Sequence, residues 1–198
     1  MGPATLRTII LFLYATGLRV SEALALTVSN IHFRDGEIEI HPASLYRHRI
    51  IPMGTDVRRL LKWYLRSAER ARFDKERGLF LTTKGRSVLY CTLMQTFSRL
   101  RKVARVFRPN SSLPPRLQDL RHTFAVHSIA RWSDKGWSNE KMLPMLVSYM
   151  GNVREKGFLR YFELTPSRFR PQLSCLNVPS SIPRDTDRIG PDGAGPPR

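Results

Sequence analysis

The stretch Ala15-Thr16-Gly17-Leu18-Arg19-Val20-Ser21-Glu22-Ala23-Leu24-Ala25-Leu26 joins two apolar helical patterns across a glycine. The run Ile9 to Leu13 leads into Thr16-Gly17, where glycine can end a helix by taking positive φ. A second short helical pattern restarts at Ser21, with Val20, Ala23, Leu24 and Leu26 on its apolar side. Arg19 therefore stands at the junction of two segments that should pack in a core, pinned by apolar neighbours rather than loose in water. A guanidinium is a rigid fork that matches the paired oxygens of a phosphate. Glu22, three residues on, is placed to hold that fork. Two readings stay open at this point: a clamp for an anion, and a helix-junction arginine paired with Glu22.

Working outward, 198 residues suit one domain with tails and are enough to bury a real core. Hydrophobic residues at 41% and charged residues at 25% are those of a globular protein, but 33 Lys+Arg against 16 Asp+Glu leave a net charge of +17. From Pro179 onward three arginines balance three aspartates, so the excess sits in the folded part. Such a surface calls for a polyanion, nucleic acid before an anionic membrane. No apolar run reaches the ~20 residues of a membrane span. Cys91 and Cys175 alone, without paired Cys/His spacing, indicate neither a disulfide framework nor a zinc site, and imply a reducing, cytoplasmic setting.

In chain order, helices are expected over Pro3–Tyr14 and Ser21–Leu26. Ile31-His32-Phe33 and Glu37–Ile40 flank Asp35-Gly36 as a hairpin, and Arg49-Ile50-Ile51-Pro52 adds a third strand to a small antiparallel sheet. Asp56–Arg72 repeats apolar residues at helical spacing, with Arg58, Arg59, Lys62, Arg66 and Arg70 on its other face. Leu79-Phe80-Leu81 is extended, Leu89–Phe107 a helix with a basic second half that includes Arg99 and Lys102, and Arg108–Pro115 a loop. Leu117–Trp132 and Lys141–Met150 complete the helices, Gly151 ending the last. Phe158–Leu164 is an apolar-aromatic stretch, and residues 179–198, with five prolines, are expected to be a disordered tail.

Two further segments carry chemistry: Leu117-Gln118-Asp119-Leu120-Arg121-His122-Thr123-Phe124-Ala125, and Tyr149-Met150-Gly151-Asn152 with Tyr161 nine residues later. With Thr16-Gly17-Leu18-Arg19-Val20-Ser21-Glu22 they stand in an order that resembles the tyrosine recombinase (phage integrase) family, over roughly Ala4 to Pro166. The resemblance implies an α+β, mainly α-helical catalytic domain with a small antiparallel sheet, covering residues 1–178. It implies DNA strand cleavage and rejoining, as in recombination and integration, through a phosphotyrosine at Tyr161, with Arg19 and Arg121 as phosphate clamp and no metal or other cofactor. Gln118 and Asn152 occupy the family's accessory donor positions, where histidine, or histidine or tryptophan, is usual. Glu22 supports the clamp, and Arg47, His48, Arg49, Arg99 and Lys102 are expected to face DNA.

Departures accompany the matches. The family's hairpin lysine falls near Ser44, and no lysine lies between Asn30 and Val57. Gln118 and Asn152 can donate hydrogen bonds but cannot carry charge or trade a proton. On that hairpin His48 is left as the titratable group. A second reading is therefore a family member that binds DNA without cutting it. Taken without the resemblance, Tyr161 among Phe158, Leu159 and Phe162 reads as a core aromatic. The chain begins about where such catalytic domains begin, so the family's N-terminal helical domain is expected to be absent. The implied partners are double-stranded DNA, in a nucleoid if the source is bacterial, and a second copy of the chain on it. Phe169–Val178 is the segment for exchange between copies, and no membrane is involved.

Overall fold

The first helix, α1 (Pro3–Thr16), starts on a proline whose missing N–H would have found no partner there. The N–H groups of Ala4 and Thr5 donate to the Glu69 carboxylate at 3.3 and 3.2 Å, an anion set on the positive end of the helix. Thr5, Thr8, Ile9, Phe12, Leu13 and Thr16 share the buried side. Of the buried hydroxyls, Thr8 and Thr16 are satisfied locally, on the Ala4 and Phe12 carbonyls, and Thr5 reaches across the fold to donate to the Leu81 carbonyl. Gly17, at φ 62°, closes the helix and returns its N–H to the Leu13 carbonyl at 2.9 Å. The computed structural model describes residues 1–41, 48–74, 77–107 and 113–151, all within the compact unit Met1–Thr165.

The short helix α2 (Val20–Ala25) follows at once and leads through a 3-10 turn, Val28–Asn30, into the sheet. Strands β1 (Ile31–His32), β2 (Glu37–Ile40) and β3 (Arg49–Pro52) pair antiparallel in the order β1-β2-β3. Ile31 lies opposite Ile38, Ile38 opposite Ile51, and Ile40 opposite Arg49. Alternation along a strand puts these residues on one face. Ile31, Ile38, Ile40 and Ile51 pack into the main core with Ile9, Phe12, Leu18, Leu61 and Phe80. His32, Glu37, Glu39, Ile50 and Pro52 stand on the outer face. A second core joins α6 (Asp119–Asp134) to α7 (Asn139–Met150) through Ala125, Ile129, Met142, Leu146 and Met150. Tyr149 packs against both cores.

Two expected helices are shorter. Asp56–Arg72 is broken: α3 (Thr55–Arg66) stops at Ser67, which is extended at ψ 147°, and α4 (Ala68–Ala71) restarts at an angle. The Ser67 hydroxyl donates to the Tyr64 carbonyl at 2.6 Å and so competes for the helix's own acceptor. The break turns Arg70, assigned to the basic solvent face, into the interior at 2% exposure. There its guanidinium donates to the carbonyls of Leu79, Phe73 and Asp74. It serves the fold rather than a partner. The helix expected over Leu89–Phe107 runs as α5 (Tyr90–Val103) and ends where Arg105 takes φ 51°. The stretches Phe158–Leu164 and Phe169–Val178 and the tail from Pro179 lie outside the described residues. Among the described residues no helix is long and apolar enough to cross a membrane.

Candidate active site

Three arginines from three parts of the chain converge on the last turn of α7. The Arg49 Nε donates to the carbonyl of Tyr149 at 3.0 Å, and Arg121 NH2 to that of Met150 at 2.6 Å. Arg19 reaches the Gly151 carbonyl with both terminal nitrogens at 3.5 Å. These are successive carbonyls at a helix C-terminus, where the partial charge is negative and cations are favoured. Gly151, at φ 62°, ends the helix, and a side chain there would run into the Arg49 guanidinium.

One carboxylate serves the cluster. Glu22 is buried and accepts four hydrogen bonds: from the Arg19 N–H at 2.9 Å, Arg19 NH1 at 3.1 Å, and Arg49 NH1 and NH2 at 3.0 Å each. Burial alone would raise its pKa. The hydrogen bond from Arg49, that from the Arg19 backbone, and the charges of both arginines outweigh it and hold the carboxyl below its ordinary value. Arg49 can do this because it shares the inner sheet face with Ile40, which it opposes in the register.

Arg121 arrives from the other side. It is 4% exposed and donates through NH1 to the Gly17 carbonyl at 2.7 Å. That approach depends on Gly17 having no side chain, since a Cβ there would collide with the Phe124 ring, one turn along α6. Phe124 in turn stacks on Tyr149, with ring centroids 5.3 Å apart. Thus the α1 terminus, the start of α6 and the end of α7 are locked together, and Arg19 and Arg121, 102 positions apart, are held at one place. Three guanidiniums against one carboxylate leave it positive, which suits a phosphate.

The remaining expected residues are distributed as follows. Gln118 is half-buried on the turn that enters α6. Arg99 and Lys102 are exposed on the second half of α5. Arg49, expected to face DNA, has only 10% of its side chain exposed and is engaged with Glu22 and Tyr149. His48 lies on the outer sheet face and bonds Glu39 at 2.7 Å, away from Glu22. Arg47, Asn152 and Tyr161 lie outside the described residues. Two contributions escaped sequence reading. One is Arg49 as a bracket behind Arg19, signalled only by its place in the R-x-x-P strand. The other is Tyr149, whose phenol is pushed far above its usual range by burial, against the opposing charges of Arg49 and Arg121.

Residues 2–135 match the sequence profile of the Phage integrase family. The chain belongs to this family. Among its relatives in the family, it is 28% identical over 166 residues to a putative integrase/recombinase, y4rB, of Sinorhizobium fredii, a match spanning 83% of this chain and 53% of that protein. It is 33% identical over 135 residues to the tyrosine recombinase XerD of Pseudomonas aeruginosa, spanning 65% of this chain and 42% of the other. The fold is that of the XerH site-specific recombinase, solved as a post-cleavage complex on a palindromic difH substrate. The TM-score is 0.63 at 22% identity over 88% of this chain and 47% of that one. The chain spans about half the length of the curated relatives it matches.

Proposed function

We propose that this chain supplies the catalytic part of a DNA recombinase that cuts and rejoins double-stranded DNA through Tyr161. The observation that carries this reading is the convergence of Arg19 and Arg121 on the end of α7. Position 152, the family's accessory donor, follows directly, with Tyr161 nine residues beyond it. The Tyr161 oxygen attacks the scissile phosphorus, a P–O bond to tyrosine forms, and the bond to the 5′-oxygen breaks, that oxygen taking a proton. The reverse attack by a 5′-hydroxyl releases tyrosine and restores the strand, so no external energy source is needed. Negative charge gathers on the non-bridging oxygens in the transition state. Arg19 and Arg121 face that charge, and each such donor is worth about 10²–10³ in rate. Tyr149, with its phenol pushed up by burial, is a poor competitor for the nucleophile's role.

The net charge of +17 and the exposed Arg99 and Lys102 support binding along the phosphate backbone, with a steep salt dependence. XerH was solved bound to DNA after cleavage, which supports the same reading. A second reading, binding without cleavage, is favoured by Gln118 and by the absence of any lysine between Asn30 and Val57. A missing general acid alone lowers rates by about 10²–10⁴.

A trapping experiment separates the two. The chain is incubated with a pool of nicked duplexes of randomised sequence, denatured, and assayed for protein joined covalently to DNA. An adduct that Tyr161→Phe abolishes while binding persists is the expected result. An adduct surviving that substitution removes Tyr161 from the role. No adduct, with salt-sensitive binding intact, favours the non-cutting reading once the same chain joined to the family's N-terminal helical domain also fails to form one.

A further inference from the structure

Three of the chain's five histidines meet one carboxylate on the outer face of the sheet, opposite the arginine cluster. Glu39, on the central strand, holds His48 Nε2 at 2.7 Å and His41 Nε2 at 3.3 Å through Oε1, and His32 Nε2 at 3.5 Å through Oε2. The pleat explains the meeting. His41 is two residues beyond Glu39 and so on the same face. Continuing the register past Ile40–Arg49 sets His41 opposite His48, and their rings are 4.9 Å apart. His32, opposite Glu37, is the diagonal neighbour of Glu39 across β1 and β2.

We propose that His32, Glu39, His41 and His48 form a binding site for a divalent transition-metal ion of the zinc class. All three imidazoles turn the same atom, Nε2, to the Glu39 carboxylate, His41 and His48 to Oε1 and His32 to Oε2. The donor atoms of Glu39, His41 and His48 lie within 4.8 Å of one another. Ligands at zinc bond lengths stand ~3.3 Å apart along a tetrahedral edge, and the three contacts to Glu39 bracket that spacing. His32, outside the tight group of Glu39, His41 and His48, has to swing in as the fourth ligand. The side chains are 28–59% exposed, so small rotamer changes close the set and the ion has a direct path in. Imidazole nitrogens with a single carboxylate favour zinc and its first-row neighbours over magnesium or calcium, which prefer all-oxygen sets. The four side chains come from β1, from β2 and the residue after it, and from the residue just before β3, so one ion would tie all three strands together. No short Cys/His spacing announces the site, because its ligands are assembled by strand pairing.

The test uses the full chain free of any polyhistidine tag, titrated with zinc chloride by calorimetry. A single saturable site per chain is expected. His41→Ala, His48→Ala and Glu39→Gln should each weaken it by roughly 10- to 100-fold or more, while His127→Ala on α6 leaves it unchanged. Zinc should also raise the thermal midpoint of the parent but not of His48→Ala, with circular dichroism showing that both are folded. Absence of saturable uptake overturns the proposal. So does uptake that survives His41→Ala and His48→Ala, or that His127→Ala lowers equally.

Discussion

Glu22→Gln tests the physical basis of the arginine cluster most directly. Gln keeps the size of Glu22 and one acceptor oxygen, but replaces the other oxygen with an amide NH2. That group would face the Arg19 N–H and Arg49 NH2, now donors at 2.9 and 3.0 Å from Glu22 Oε2. Each hydrogen bond to a charged group is worth about 1.5–3 kcal/mol, so losing two sets a range of about 3–6 kcal/mol. Arg19, with 19% of its side chain exposed, can recover some solvation by turning to water, whereas Arg49 at 10% cannot. The expected cost is about 3 kcal/mol, the lower end for an uncompensated buried charge. In urea, with a slope of about 2 kcal/mol per molar, the midpoint should fall by about 1.5 M at unchanged slope. A DNA readout tests the positioning role. Removing one carboxylate takes the formal net charge from +17 to +18 (17 + 1), so salt-sensitive binding should hold or tighten while adduct formation falls. A midpoint within ~0.3 M of the parent would refute the claim that Glu22 is the bracket of this cluster.

The two helix-ending glycines give a second check. Gly17→Ala and Gly151→Ala both place a side chain at φ 62°, and each new Cβ meets a neighbour, the Phe124 ring or the Arg49 guanidinium. Each should destabilise by at least ~1–2 kcal/mol, measured by denaturant unfolding, with Gly17→Ala the worse because a stacked ring yields less than a guanidinium. Leu61, fully buried, should cost about 2–5 kcal/mol on substitution by Ala in the same assay. Acid should destabilise the fold through Glu22. Its pKa is lowered in the folded chain, so its contribution is complete above the ordinary 4.5 and fades as pH falls below that value. The thermal midpoint of the parent should drop over that window more than that of Glu22→Gln, and parallel curves would contradict the assignment.

Much of the site was legible in the sequence because its pieces are local. Thr16-Gly17-Leu18-Arg19 carries its own helix stop and its own restart, and Glu22 falls at the spacing that caps the second helix. The Asp35-Gly36 turn between alternating strands likewise announces β1 and β2. Arg70 was misread for the opposite reason. The apolar period runs unbroken through Ser67, and what interrupts the helix is the tertiary demand for Glu69 at the start of α1 and Arg70 under the Leu79 carbonyl.

From the order of residues alone came the mixed, mainly helical architecture and the positive charge with its call for a polyanion, while the pairing of Arg19 with Arg121 was implied by the family resemblance of the segments that hold them. Those properties are set by periodicity, composition and short motifs, each contained within a few turns of chain. Tertiary structure alone decided that Arg49 stands behind Glu22 while His48, its neighbour in sequence, faces the other way. Alternation in a strand sends adjacent residues to opposite faces, and only strand pairing says which face meets α7. The same pairing gathers His32, Glu39, His41 and His48, which no spacing in the sequence brings together.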